Sequence, residues 1–223
     1  MARPRSSGYD DQRELILRHA AALFATQGYV ATSMNEVAAA CGVSKAALYH
    51  YVRDKRELLE SVCQAHVLRL QGVVAEVLGQ GLAPEVQLRE LIVRFVQEYA
   101  SAQNEHRVLT KEVKLLEPEQ AERVLAVQRA VVADFALAVA QVRPALQAAE
   151  LHTPLTMLLF GMINWLFTWF RPGQPLTHAE MAPIVADLFF GGLAGVTVPA
   201  TSSPESQPVR PRTRQPRKKE TTS

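Results

Sequence analysis

The stretch "VSKAALYHYVRDKRELL", residues 43–59, decides how the whole chain is interpreted. Its first half allows barely two helical turns, and a helix that short is not stable alone in water. Leu48 is an apolar side chain suited to a core, whereas Lys45, Tyr49 and His50 lie on the other side of the same turns. Because that outer side combines a cation with two rings, we expect it to contact a partner.

The residues around this stretch predict two short helices joined by a glycine turn. Ser33 and Glu36 have the spacing of a capping box, so a second helix begins there and ends at Gly42. Ser44 caps a third helix, and Asp54 begins a fourth. Two short helices in this arrangement form a helix-turn-helix, whose second helix fits the major groove of DNA.

Several residues of this motif have the chemistry that DNA requires. A helix in the groove must carry small or hydrogen-bonding side chains, and helix starts bind phosphates through amides, hydroxyls and cations. The predicted DNA contacts are Thr32, Ser33, Ser44, Lys45, Ala46, Ala47, Tyr49, His50 and Lys55. Geometry alone leaves an alternative open, an α-hairpin inside a helical core that never meets DNA.

The rest of the chain has a helical period. Residues 86–100 carry apolar side chains at the i, i+3, i+4 spacing of one helix face. A second long amphipathic segment opens at Pro118 and closes before Pro144, and two more begin at Pro154 and His178. No convincing alternating strand or internal repeat is present, so we predict an all-α fold of about nine helices.

The composition limits the classes of function. The chain is 48% apolar, ample for a core. Cys41 and Cys63 cannot form a disulfide framework, and the histidines have no metal-ligand spacing. The first residues resemble no signal peptide, which predicts a cytoplasmic protein. Because no phosphate loop, nucleophile elbow or carboxylate pair is present, we expect no enzyme, no catalytic residue, no metal and no cofactor.

The charges divide the chain unevenly. Residues 10–62 are predicted to form the DNA-binding domain, after a flexible arm at 1–9. Residues 63–198, with 10 Lys/Arg and 13 Asp/Glu, are predicted to form a second helical domain. Residues 199–223, with 6 Lys/Arg and 2 Asp/Glu, are predicted to be a disordered basic tail. That tail either solubilises the protein or attracts phosphates weakly.

The segment "GYVATSMNEVAAACGVSKAALYHYVRDKRELLESV", residues 28–62, closely resembles the N-terminal domain of the TetR family of bacterial transcriptional regulators. The shared features are Gly28-Tyr29, Thr32, Glu36-Val37-Ala38, Gly42-Val43-Ser44, Leu48-Tyr49-His50-Tyr51, Lys55 and Leu58-Leu59. The sequence departs at Val52, where Phe is commoner. The resemblance implies that Lys45, Ala46, Tyr49 and His50 read the operator, and that Thr32 and Lys55 bind phosphates.

The resemblance also implies a homodimer in which residues 63–198 are the ligand-binding and dimerisation domain. This domain would hold an effector pocket, with the dimer interface in the last two helices. Residues 151–170 contain no charged side chain, as expected for a helix buried on all sides. A membrane-spanning helix is the alternative. Asn164, Gly161 and three threonines argue against it, as does the lack of a flanking basic cluster.

The effector site is predicted within that helix. Trp165 and Trp169 lie four residues apart, and either core and dimer packing or an apolar tunnel with polar groups at its mouth explains them. The predicted ligand contacts are Phe160, Asn164, Trp165, Trp169 and Arg171.

This helix and "KEVKLLEPEQ", residues 111–120, are similar to TetR-family regulators that sense acyl-coenzyme A thioesters. The resemblance implies a repressor that binds a pseudo-palindromic operator as a dimer. It would be released by a small hydrophobic effector, an acyl- or aryl-coenzyme A thioester of a catabolic pathway. The alternative is a structural or membrane-tethered helical protein without DNA-binding function.

Overall fold

A computed structural model describes residues 7–170 and 176–198 of the chain. Within these residues it contains ten α-helices, one short 3-10 turn at Val113–Leu115 and no strand. The helices are α1 Ser7–Gln27, α2 Met34–Ala40, α3 Lys45–Leu48, α4 Lys55–Leu78, α5 Pro84–Ser101, α6 Gln103–Glu112, α7 Pro118–Val142, α8 Ala145–Ala148, α9 His152–Trp169 and α10 His178–Gly195. The prediction of an all-α fold is confirmed, and the count is one higher than expected. The predicted tail 199–223 and Arg171 lie outside the described residues.

The helix boundaries follow from local capping. The Ser33 hydroxyl accepts from the Glu36 N–H at 3.2 Å, and the Glu36 carboxylate accepts from the Ser33 N–H at 2.7 Å, which is a complete capping box. Ser44 and Asp54 accept backbone N–H groups in the same way at the starts of α3 and α4. Gly42, in the turn between α2 and α3, has φ +66°. Glycine adopts this conformation without steric cost, so this residue allows the turn to form.

The first helix begins earlier than predicted. Residues 7–9 are helical, although we expected the flexible arm to extend to residue 9. The ring of Tyr9 stacks on that of Tyr51, with centroids 4.8 Å apart, and Tyr51 follows α3 in sequence. This contact adds a long-range support to the first turn of α1.

The core consists of two hydrophobic clusters. The amino-terminal cluster joins α1–α4 to α6 and the start of α7, and includes Ile16, Phe24, Val37, Leu48, Leu58, Val62, Val108, Leu109, Leu116 and Val124. The carboxy-terminal cluster joins the second half of α4 to α5, α7, α8, α9 and α10, and includes Leu70, Leu88, Phe95, Val131, Phe135, Leu146, Phe160 and Phe189. Since α4 and α7 contribute to both, the boundary between the clusters crosses these two helices.

Polar contacts reinforce the attachment of α7 to the first half of α4. Glu60, 9% exposed, accepts two hydrogen bonds from the Arg123 guanidinium at 2.6 and 2.9 Å. Gln120 donates to the other carboxylate oxygen at 2.6 Å. The start of α7 is therefore held to α4, the helix that follows the helix-turn-helix formed by α2 and α3.

Among the described helices, α7 alone is long and apolar enough to cross a membrane by length and composition. It packs against α4, α5 and α9 and contributes Val131 and Phe135 to the carboxy-terminal cluster. These contacts are those of a core helix.

Candidate DNA-binding surface and effector cavity

The third helix separates its core side from an exposed side. Leu48 is fully buried, whereas Tyr49 is 43% exposed and Lys45, Ala46 and His50 are exposed. These four positions are spaced i, i+1, i+4 and i+5, so they lie on one side of the turns. The structure therefore brings together the residues that were predicted to read DNA bases.

The hydroxyl and amide groups of the motif are mostly occupied by caps. Ser44 accepts from the Ala47 N–H at 3.1 Å, and Ala47 is partly buried. Ser33 is exposed at the start of α2, although its hydroxyl is part of the capping box. Both serines lie at the rim of the exposed surface, and their roles as DNA contacts stay predictions.

Thr32 occupies an internal position that the sequence did not indicate. Its side chain is 1% exposed, donates to the Gly28 carbonyl at 2.8 Å and accepts from Gln27 at 3.1 Å. A hydroxyl held in this turn is not presented to a phosphate. The expected phosphate contact through the Thr32 side chain has no support in this geometry.

Lys55 also differs from expectation. Its Nζ donates to the carbonyl oxygens of Tyr29, Val30 and Thr32 at 3.0, 3.1 and 2.8 Å, and lies 4.5 Å from the centroid of the Tyr29 ring. An ammonium has three N–H donors, so these bonds use all of them. Lys55 therefore joins the turn between α1 and α2 to the start of α4, and its side chain is not a free phosphate anchor.

Arg53 is a cation of this surface that our sequence analysis missed. Its side chain is 83% exposed and forms a 3.0 Å ion pair with Glu57. The only signal in the sequence was its place directly before the cap of α4. Arg53, which follows α3, and Lys45, which lies on it, are both exposed cations of this surface.

A small cavity of about 60 Å³ lies where the two hydrophobic clusters meet. Phe160 and Asn164 of α9, two of the predicted ligand contacts, line it, and their contact with a ligand stays a prediction. The sequence analysis missed the other helices of its wall, whose residues include Val67, Leu70, Tyr99, His106, Leu109, Gln128 and Val131. The wall is thus apolar with a few polar groups, the usual character of a ligand site.

Trp165 and Trp169 do not line this cavity. They are 66% and 46% exposed, on the outer side of α9. Consecutive helical residues are turned by about 100°, so Trp165 points away from the cavity that Asn164 faces. Of the two interpretations that the sequence left open, an apolar tunnel around these tryptophans is not what the structure shows.

One residue of the cavity wall, His106, belongs to a buried pair of histidines. His66 Nε2 of α4 lies 3.2 Å from His106 Nδ1 of α6, and the rings are 0% and 2% exposed. Burial lowers the pKa of His66 to about 3, with smaller effects from His106 and Arg69. Burial also lowers the pKa of His106 to about 4, against the opposing effect of the Asn164 amide. Both rings are therefore neutral at pH 7.

A larger, open cleft of about 660 Å³ adjoins the histidine pair. It lies between α1, α4, the α5–α6 junction and the start of α10, and its wall includes Glu14, Arg18, His66, Arg69, Ser101, Gln103, Asn104, Glu105 and His178. This outer cleft is polar where the inner cavity is apolar. His66 lines the cleft and His106 lines the cavity, so the pair stands between them.

The described residues contain no group of three or more His, Cys, Asp and Glu side chains that could hold a metal. Burial raises the pKa of Cys63 to about 12, so its thiol is protonated at neutral pH.

Two family signatures match the chain. The signature described as "Bacterial regulatory proteins, tetR family" matches residues 16–62. The signature described as "Tetracyclin repressor-like, C-terminal domain" matches residues 81–193. Together they include the helix-turn-helix and most of the helices that surround the cavity.

Solved structures and curated proteins agree with these matches. A TetR-family transcriptional regulator from Bordetella parapertussis is 33% identical, with 85% of this chain and 99% of that chain covered and a TM-score of 0.77. The regulator AibR, solved with isovaleryl coenzyme A and operator DNA, is 27% identical over 79% of this chain and 97% of its own, with a TM-score of 0.69. The transcriptional repressor KstR2 of Rhodococcus jostii is 23% identical over 85% of this chain and 94% of its own.

Proposed function

The chain belongs to the TetR family of bacterial regulatory proteins, and from this premise we propose that it is a cytoplasmic, ligand-responsive repressor. It binds a pseudo-palindromic operator as a homodimer and releases it when a small effector binds. The observation that carries the proposal is the exposed side of α3. The side chains of Lys45, Ala46, Tyr49 and His50 lie there in solvent and not in the core. A short, capped helix with such a side fits the major groove.

The last two helices support pairing with a second copy of the chain. Large apolar side chains remain exposed on both: Leu158, Trp165 and Trp169 on α9, and Ile184 and Leu188 on α10. An exposed apolar patch of this kind marks an interaction surface. A twofold interface here would give two recognition helices, which must lie about 34–36 Å apart to reach successive major grooves.

The cavity and the cleft together favour an effector with a small apolar part and a larger polar part. An acyl-coenzyme A thioester has this form, and AibR, 27% identical, was solved with isovaleryl coenzyme A. The inner cavity of about 60 Å³ accepts a short or branched acyl group more readily than a long chain or a steroid. The outer cleft, with Arg18 and Arg69 in its wall, is large enough for part of the coenzyme.

The effector acts by shifting a conformational equilibrium. It can move the equilibrium only by its different affinity for the DNA-binding and the released conformers. Helix α4 extends from the DNA-binding motif to the cavity wall, so a change at the wall alters the position of the recognition helix. The two recognition helices of a dimer then lose the separation that the operator requires.

The test is operator binding by the purified protein. Fluorescence anisotropy with DNA from beside its own gene, in the presence of excess unrelated DNA, should show sequence-specific binding by a dimer. Isovaleryl coenzyme A should release that DNA, whereas coenzyme A and isovalerate should act weakly. A structural or membrane-tethered helical protein, the alternative function, would bind no DNA selectively under these conditions.

A further inference from the structure

The buried pair of His66 and His106 connects the DNA-binding motif with the cavity. His66 lies on α4, within the same helix that begins beside the recognition helix. His106 lies on α6, and Tyr99 of the carboxy-terminal cluster stacks on its ring with centroids 3.9 Å apart. The 3.2 Å hydrogen bond between the two imidazoles therefore joins α4 to α6 at the boundary between the two hydrophobic clusters.

The pair also stands between the two spaces of the proposed effector site. His66 lines the outer cleft, whereas His106 and Tyr99 line the inner cavity. A molecule with its polar part in the cleft and its apolar part in the cavity has to pass beside these rings. Its middle portion therefore meets the histidine pair.

We propose that the His66–His106 hydrogen bond is intact in the DNA-binding conformer and is broken by the effector, which carries a hydrogen-bonding group between its polar and apolar parts. This inference rests on the proposed function and adds the residues that couple effector binding to α4. A thioester or amide carbonyl at the junction of the two parts meets the requirement. A plain hydrocarbon does not.

The requirement follows from the burial of the pair. When the bond breaks, each imidazole leaves a polar nitrogen in a site that water does not reach freely, and an unpaired buried group is costly. Such a cost weakens binding by roughly tenfold or more unless the ligand supplies the missing partner. Asn164, whose side-chain amide hydrogen-bonds to His106, lines the same wall, so the polar groups around this ring are held together at the cavity.

The same reasoning predicts the behaviour of variants without any effector. In His66→Leu, His106 loses its hydrogen bond to the other ring in the DNA-binding conformer, whereas the released conformer has already lost that bond. The substitution therefore shifts the equilibrium away from DNA. His106→Leu acts in the same way. Both single variants remove the same hydrogen bond, so the double variant should lose less operator affinity than the two single variants combined.

The experiment is a double-mutant cycle on operator affinity, with thermal unfolding of the free protein measured in parallel. Each single variant should weaken operator binding by about tenfold, and the double variant by less than the product of the two. His19→Leu, the same substitution on α1 away from the pair, should leave operator binding unchanged. If operator affinity stays within about twofold in all variants while only unfolding shows the coupling, the pair is a packing contact and the proposal is wrong.

Spectroscopy of the unsubstituted protein gives a second, independent result. With ¹⁵N-labelled histidine, isovaleryl coenzyme A should shift the ring signals of His66 and His106 while it releases the operator. Release without any change at these rings would overturn the proposal and leave the repressor function standing. Absence of selective DNA binding by the unsubstituted protein would instead refute the repressor function itself.

Discussion

At the scale of single side chains, the first prediction concerns the exposed residues of α3 that are proposed to read DNA. Tyr49→Ala and Lys45→Ala remove exposed groups from α3 without touching the buried Leu48. Each lost base contact costs about 1–3 kcal/mol, and a dimer loses two. We expect operator affinity to fall while thermal stability stays unchanged. Unchanged operator affinity in both variants would mean that this side of α3 does not read the bases.

The second prediction concerns Lys55, whose three hydrogen bonds to backbone carbonyls give it a structural role. Lys55→Met should lower the free energy of unfolding by about 1–3 kcal/mol in the absence of DNA, since hydrogen bonds to a charged group are lost. Lys45→Met, an exposed lysine on α3, is the matched control and should leave stability unchanged. If Lys55→Met were as stable as the parent protein and only weakened the salt dependence of DNA binding, Lys55 would be a phosphate anchor after all.

At the scale of helices, the contact between α7 and α4 is tested by two arginines. Arg123→Ala leaves the nearly buried Glu60 carboxylate without its ion-pair partner, which should destabilise the fold by about 2–4 kcal/mol. Arg56→Ala removes an exposed pair with Glu117 from the same region and should cost less than about 1 kcal/mol. Urea unfolding of both variants measures the difference, and equal effects would contradict the structural role of Glu60.

Helices were predictable where their signals are local. The spacing of Ser33 and Glu36 indicated a cap that the structure contains, because both groups of a capping box lie within one turn. The bonds of Lys55 join residues 23 to 26 positions apart, and the His66–His106 bond joins residues 40 positions apart. Such contacts depend on how helices pack, which periodicity does not specify. For the same reason the sequence predicted an apolar α9 but not which of its sides lines the cavity.

For the whole molecule, the two buried histidines predict a dependence of stability on pH. Their pKa values are lowered to about 3 and 4, below the ordinary 6.5, so the unfolded chain binds more protons below pH 6.5. Their contribution to the free energy of unfolding is complete above pH 6.5 and is lost as the pH falls toward 4. From pH 7 to 5.5 we expect a loss of roughly 1 kcal/mol for each histidine. In the double variant His66→Leu/His106→Leu, the stability measured by urea unfolding should decline less between pH 7 and 5.5 than in the unsubstituted protein. An equal decline would mean that other groups cause the pH dependence.

The exposed tryptophans make the assembly of the molecule testable. Trp165 is exposed on α9 beside other apolar side chains, and the proposed dimer buries this side. Trp165→Glu should place a charge in that interface, yield monomers by sedimentation equilibrium and abolish tight operator binding, because one recognition helix reads only half of a palindrome. Leu137→Glu, on an exposed side of α7, is the matched control and should stay dimeric. Since both tryptophans lie outside the cavity, their fluorescence should follow dissociation of the dimer more strongly than effector binding. A Trp165→Glu protein that remains dimeric would show that the subunits pair through another surface.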